Sequence, residues 1–459
     1  MATHRESLHG QWSSRWVFIL AATGSAVGLG NIWKFPYMAG ENGGGAFVVI
    51  YLICVALIGI PIMMAEILLG RHGRRSPINT LVEICKEQHR SQWWQIIGWS
   101  GMLAGFLILS FYSVIAGWTL AYVFRTATGT FTGLGGDQVG SIFTDFISDP
   151  ERLLAWHTIF MVLTLMVVAR GVQSGLEKAV TYLMPALFIL LLILVGYSMN
   201  TGYFGDGLSF MFKPDFASIS ATGILSAMGQ AFFSLSIGMG AIMIYGSYLP
   251  QDTSITQSAI IIALADTLVA ILAGLAIFPI VFANGLDPAQ SVGLVFNTLP
   301  IAFGNMPGGA FFGMLFFILL AFAAWTSSIS LIEPVVAWLA ETVGMNRVTA
   351  VVWTGLTAWL LGVGTIFSFN LWSGYTIKGM SFFDILDKLT SNILLPLGGL
   401  LIAIFAVWIM SEKSTRDELA ISHEKAYPLW RFLLRYITPI AIAAIFFKAV
   451  GLLDWWLVE

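Results

Sequence analysis

Long apolar stretches alternate with short polar connections along the whole chain. They run over about 13–38, 44–70, 94–124, 154–170, 176–199, 219–249, 256–284, 309–342, 348–368, 382–411 and 429–452. Each is close to the roughly 20 residues a helix needs to cross the hydrocarbon of a bilayer, so the pattern predicts an all-α membrane protein with eleven spans in one bundle. Spans 1 and 6 break the helical pattern in matching ways. Span 1 carries Val27-Gly28-Leu29-Gly30 after Ser25, and span 6 carries Ile237-Gly238-Met239-Gly240 after Ser234 and Ser236. A glycine pair inside one membrane helix ordinarily means close packing against a neighbour. Its recurrence five spans later points instead to interrupted helices in the two halves of an inverted repeat. The halves would be about 13–200 and 219–411, with a further helix at about 429–452.

Composition agrees with that reading. Of 459 residues, 57% are hydrophobic and only 10% charged, which excludes a soluble globular protein. The formal net charge of -3 gives no hint of nucleic-acid binding, but the placement of basic residues is informative. The face with the N-terminus takes Arg5, Arg15, Arg71, Arg74, Arg75, Lys86, Arg90, Arg170, Lys178, Arg347, Lys413, Arg416 and Lys425, while the other takes Arg125, Arg152, Lys213 and Lys378. By the positive-inside rule the N-terminus is cytoplasmic, and eleven spans put Glu459 outside. Because the run from His4 to Arg15 is polar and charged, no cleaved signal is expected. Cys54 and Cys85 fit no disulfide framework.

An interrupted helix frees backbone N–H and C=O groups that must find partners or line a polar cavity. Its N–H end suits a carboxylate and its carbonyls suit a dehydrated alkali cation. Oxygen-bearing side chains near the breaks could complete cation cages: Asn31, Ser234, Asp266 in span 7, and Thr326-Ser327 in span 8. Hard oxygen donors without a His or Cys cluster favour a hard cation. Serine and threonine in membrane helices also bond back to their own helix, which leaves Thr326 and Ser327 open to a purely local reading. Asp266 is different, because a carboxylate in such an apolar helix must be protonated, paired or bound to a cation. Glu66 in span 2 carries the same penalty and reads as a partner for the unwound backbone of span 6, with proton coupling as the alternative. Glu333, beside Pro334, stays ambiguous.

The stretch WSSRWVFILAATGSAVGLGNIWKFPYMAGENGGGAF resembles the first helix and turn of the neurotransmitter:sodium symporter family, whose members share the LeuT-type fold. The resemblance continues through SFYSVIAGW in span 3, GQAFFSLSIGMGAIMIYGSY in span 6, TSSIS in span 8 and FFDILD before span 10. It implies a membrane transporter, not an enzyme, with unwound helices 1 and 6 and two sodium sites. The first would use Ala26, Asn31, Ser234, Asp266 and the substrate's own carboxylate; the second would use Gly24, Val27, Ala323, Thr326 and Ser327. It places the substrate's carboxylate at Leu29, Gly30 and Tyr112 and its ammonium at carbonyls of Ala26, Phe233 and Ser236. The substrate side chain would face Ile108, Tyr112, Phe233, Ser236, Met239, Ser327 and Leu331. Lys34 and Asp387 resemble an outer gate, with Tyr112 and Phe233 as an aromatic lid. Trp12, Arg15, Tyr248 and Glu341 resemble an inner gate in which His9 replaces an expected arginine. Gly175, followed after nine residues by Pro185, resembles a motif that lets span 5 unwind.

Amine carriers of that family have an Asp where Gly28 stands, so a neutral hydrophobic L-amino acid is expected as the partner, with leucine-sized and tryptophan-sized side chains both open. Chloride-dependent members have Asn at the place of Asp266 and Ser at the place of Ala270. A fixed carboxylate there predicts chloride independence. The resulting expectation is a sodium-coupled importer in the inner (plasma) membrane. A proton-coupled carrier and a non-transporting sensor are the alternatives.

Overall fold

The computed structural model describes residues 8–288, 293–421 and 425–449. Arg5, Glu459, residues 4–7 of the N-terminal polar run and residues 450–452 of the last predicted span lie outside them. The described chain is helical, its one β-bridge joining Ile377 to Met380.

Among the described residues, nine helices are long and apolar enough to cross a membrane, and ten if a bent pair counts as one. The pair is span 1, Arg15–Ala26 and Gly30–Glu41, bent by 53°. The others are span 2 (Gly45–Gly73), span 3 (Gln92–Ala127), span 4 (Pro150–Ala169), span 5 (Val172–Met199), span 7 (Ile255–Ala283), span 8 (Gly309–Val343), span 9 (Arg347–Ser368), span 10 (Phe382–Ile409) and span 11 (Ala426–Phe447). Expected span 6 consists of two half-helices, Ala221–Ser234 and Ala241–Ser247, each too short to cross alone. Polar residues set the starts: Ser14, Ser220, Ser254 and Asn346 each accept a backbone N–H from the first turn of the helix they precede. The connections hold helices that the spans alone do not reveal, at Pro77–Glu87, Gly136–Ile147, Phe204–Phe212, Leu299–Asn305 and Glu412–Leu419.

Spans 3 and 8 are the most enclosed and pack along each other, while spans 4, 5 and 11 turn much of their apolar surface outward. Ile159, Met166, Ile189, Leu192 and Ile440 are exposed, as expected where the surrounding solvent is lipid. The interrupted spans 1 and 6 are held inside, against spans 2, 5, 7 and 8, and their breaks lie against Gly101, Gly105 and Tyr112 of span 3. That arrangement buries both breaks.

Candidate functional site

In span 1 the helix ends as Val27 turns extended (φ -68°, ψ 109°), and winding resumes at Gly30 with a wider i→i+5 turn through Lys34. The freed backbone is met by side chains of spans 3 and 6 and by Asn31 of span 1 itself. Leu29 N–H donates to the Tyr112 hydroxyl (3.2 Å), Gly28 N–H to Asn31 Oδ1 (3.3 Å), and the Gly30 carbonyl accepts from Gln230 Nε2 (2.8 Å). In span 6 the break covers 235–240, with positive φ at Ser236 (54°), Gly238 (84°) and Gly240 (74°). At Gly238 a side chain is excluded twice over, by the left-handed backbone and by the Leu395 carbonyl 2.5 Å from where its Cβ would be. The Gly238 N–H donates to Glu66 Oε1 at 2.6 Å, the partner expected for it. Ser236 Oγ donates to the Ser25 carbonyl (2.9 Å), which joins the two breaks directly.

Two groups of oxygen atoms flank this junction. In the first, Asp266 is fully buried and accepts from Asn31 Nδ2 at 2.7 Å. The Tyr51 hydroxyl lies 3.0 Å from Ser234 Oγ and 3.4 Å from Asp266 Oδ2. Asp266 forms no ion pair among the described residues, so a buried carboxylate is held by neutral donors alone. In the second, Ser327 Oγ lies 3.4 Å from the Gly24 carbonyl, 3.2 Å from that of Val27 and 3.2 Å from that of Ala323. Thr326 Oγ1 lies 3.1 Å from the Ala323 carbonyl. One hydroxyl has one hydrogen, so Ser327 cannot serve three carbonyls at once. The excess of lone pairs over protons suits a cation. Both hydroxyls also bond back within span 8, as the local reading expects, but only Ser327 reaches span 1 as well.

Between the breaks lies a cavity of about 30 Å³ lined by Ala26, Gly28, Gly30, Ile108, Tyr112, Phe233, Ser236, Met239, Ser327 and Leu331, all anticipated from the sequence, together with Ser25. Of the other expected substrate residues, Leu29 lines the neighbouring cavity and Ser234 belongs to the first oxygen group. That neighbouring cavity, of about 50 Å³, opens beyond Tyr112 and Phe233 and is bounded by Trp33, Lys34, Phe111, Phe383 and Asp387. Lys34 and Asp387 thus share a cavity without forming an ion pair. The Lys34 ammonium sits 4.2 Å from the Phe233 ring centroid, and Asp387 accepts from Ser391 Oγ at 3.0 Å.

On the opposite side, Trp12 N–H donates to the Tyr248 carbonyl and its indole N–H to the Tyr245 carbonyl, both at 3.0 Å. His9 Nε2 meets Glu341 Oε1 at 2.9 Å, and Glu341 also accepts from Ser76 and Asn79. Arg15 forms no ion pair among the described residues. Tyr248 instead donates to Glu333 (2.8 Å), which Arg347 grips with two nitrogens at 3.0 and 2.5 Å. The ambiguous Glu333 is therefore an ion-pair partner. Gly175 lies in a wide i→i+5 turn, Val172–Glu177, and Pro185 lies inside the helix that follows it. Glu177 in that turn accepts from the Ser13 N–H (3.2 Å) and hydroxyl.

Tyr51 and Gln230 were not singled out from the sequence. Gln230, a lone amide in GQAFF, is a visible signal of a polar task inside the membrane. Tyr51 in VVIYLIC gives none.

The description "Sodium:neurotransmitter symporter family" matches residues 9–133 and 145–454. The chain is 40% identical over 449 residues to "Uncharacterized sodium-dependent transporter YhdH" of Bacillus subtilis, covering 97% of this chain and 98% of that one. It is 34% identical to a sodium-dependent transporter of Haemophilus influenzae over 95% of this chain and 97% of the other. The crystal structure of MhsT in complex with L-phenylalanine superposes with a TM-score of 0.89 at 42% identity, covering 96% of this chain and 99% of that chain. With sequence, fold and paired helix breaks in agreement, the chain belongs to the sodium:neurotransmitter symporter family and is a multi-pass, sodium-dependent membrane transporter.

Proposed function

We propose that the chain imports a neutral hydrophobic L-amino acid together with sodium, independently of chloride, by alternating access around the junction of spans 1 and 6. The observation that carries this is the cavity between the breaks, whose lining contains no charged side chain. A charged substrate side chain would be buried unpaired there. The substrate's carboxylate meets the amides of Leu29 and Gly30 and the Tyr112 hydroxyl. One sodium is held by Ala26, Asn31, Ser234 and Asp266 with that carboxylate, and the other by Gly24, Val27, Ala323, Thr326 and Ser327. MhsT, crystallised with L-phenylalanine, supports an amino acid as substrate. An apolar cavity that takes a benzene ring measures about 150 Å³. An aromatic substrate therefore requires Met239 and Phe233 to give way, and the unbranched Met239 does so most readily.

Lys34, Asp387, Tyr112 and Phe233 form the outer gate of this scheme, and Trp12, Arg15, Tyr248 and Glu341 the inner one. The repeats are about 13–200 and 219–411, with a further helix near 429–452. The chain resides in the inner (plasma) membrane with its N-terminus cytoplasmic and its C-terminus outside. Proton coupling is the second reading, and it draws on Glu66, whose Oε2 is buried with no hydrogen-bond partner among the described residues. Uptake of labelled leucine, phenylalanine and tryptophan into proteoliposomes, driven by an imposed sodium gradient or an imposed pH gradient, separates the two. Accumulation under sodium alone is the expected result. Accumulation under a proton gradient without sodium would overturn it.

A further inference from the structure

On the membrane face where span 2 ends, a basic pocket of about 240 Å³ lies between the helix Glu412–Leu419 and the first turns of span 11. Three arginines line it, Arg416, Arg431 and Arg435, against one carboxylate, Glu412. Glu412 is taken up by Arg416 at 3.3 Å and Arg431 at 3.0 Å. Arg435 forms no ion pair among the described residues. Its Nε is buried without a hydrogen-bond partner, and its guanidinium rests 4.3 Å from the Trp408 ring centroid. At 1.5 Å per residue Arg435 lies about 6 Å further along the helix than Arg431, so it is carried toward the hydrocarbon where a lone cation is costly. The side chains around it face outward: Trp408, Phe432 and Tyr436 are each about half exposed, at 52, 50 and 48%. A pocket of surplus positive charge, with one arginine lacking a counter-ion and an apolar rim open to the bilayer, matches an anionic lipid in charge and in polarity.

We propose that this pocket seats the phosphodiester headgroup of an anionic phospholipid, held by Arg431 and Arg435, with its acyl chains against Trp408, Phe432 and Tyr436. Arginine suits this role because its planar fork pairs with two phosphate oxygens.

The test is native mass spectrometry of the full chain in detergent, titrated with phosphatidylglycerol or with phosphatidylcholine of the same acyl chains. A parallel arm adds inorganic phosphate to the phosphatidylglycerol complex. Phosphatidylglycerol should be retained in preference to phosphatidylcholine and should resist phosphate. Arg435→Gln should weaken retention about fivefold, and Arg431→Gln with Arg435→Gln about thirtyfold, from the contribution of each cation near an anionic lipid surface. Arg152→Gln, at an exposed ion pair on the other face, should change nothing. Should the double variant fail to elute as one species, the pair Arg435→Gln and Arg435→Lys decides, because lysine keeps the charge and should keep most of the retention. Equal retention of the two lipids, retention unaffected by loss of the arginine charge, or displacement by inorganic phosphate would each overturn the proposal.

Discussion

Gly28→Ala adds one methyl at the point where the proposed substrate and second sodium sites touch. Its Cβ would stand 2.6 Å from Ser327 Oγ, 2.8 Å from the Tyr112 hydroxyl and 3.4 Å from Ser327 Cβ. The Ser327 hydroxyl must retreat by about 0.8 Å to reach ordinary contact at 3.4 Å. It can do so by rotating, but rotation takes it from the carbonyls of Gly24, Val27 and Ala323. The Tyr112 hydroxyl sits on a rigid ring, so its relief strains the bond from Leu29 N–H. Overpacking costs about 1–3 kcal/mol and a lost hydrogen bond about 0.5–1.5 kcal/mol, together about 1.5–4.5 kcal/mol. Borne by the site, that weakens substrate binding about tenfold to two-thousandfold. Equilibrium binding of a labelled substrate across a sodium titration, with melting temperature measured alongside, locates the loss. Gly196→Ala is the control, since a Cβ there meets nothing within 4 Å. A Gly28→Ala protein that binds substrate within twofold of the parent, at unchanged sodium dependence, would refute the assignment of this junction.

Thr326→Ala and Ser327→Ala should each raise the sodium concentration for half-maximal uptake about tenfold or more, the scale of a hydrogen-bonding group that contacts a charge; unchanged sodium dependence in both would remove them from the site. Replacing chloride by gluconate should leave uptake unaltered in the parent, and strong chloride dependence would show that Asp266 does not supply the missing negative charge. Glu333→Ala should lower the melting temperature by stranding Arg347, since removing one partner of a buried pair costs about 3–5 kcal/mol, whereas Glu333→Leu combined with Arg347→Leu should recover much of it. At the helix between spans 10 and 11, burial raises the Glu418 carboxyl, but hydrogen bonds and charge from His72 and Arg71 more than offset this and leave it below its ordinary 4.5. A depressed carboxylate contributes stability that is fully present above its unfolded value and lost as pH falls through the folded one. The melting-temperature gap between the parent and Glu418→Gln should therefore be full at neutral pH and shrink below about pH 4.5. A gap that stays constant down to pH 3 would count against the clasp.

The bilayer makes the spans legible, because a helix that crosses hydrocarbon must be apolar for its whole length. The breaks are legible for the opposite reason: Gly28, Gly30, Gly238 and Gly240 interrupt otherwise uniform apolar runs. The limits of break 6 are not, since the left-handed turn begins at Ser236, a residue type that signals no such backbone. Partners distant in sequence also escape. Nothing near Glu333 announces Arg347 fourteen residues on, and nothing near Gly30 announces the amide of Gln230. The Lys34 ammonium lies over the Phe233 ring instead of against Asp387, a choice of rotamer that composition cannot fix.

Ser327 belongs to two parts of the site at once. It lines the cavity between the breaks, and it lies within reach of three carbonyls of the second oxygen group. Tyr112 is placed similarly, lining both cavities while its hydroxyl accepts from Leu29 N–H. On the proposed assignment, a cation drawn to those carbonyls fixes the Ser327 hydroxyl and the backbone of Gly24 and Val27, and thereby the shape of the break that receives the substrate. By linkage, substrate must then raise sodium affinity by the same factor by which sodium raises substrate affinity. Coupling of this kind needs no relay across the protein. On that assignment it follows from one interrupted helix whose carbonyls at Gly24 and Val27 face a cation and whose amides at Leu29 and Gly30 face an anion.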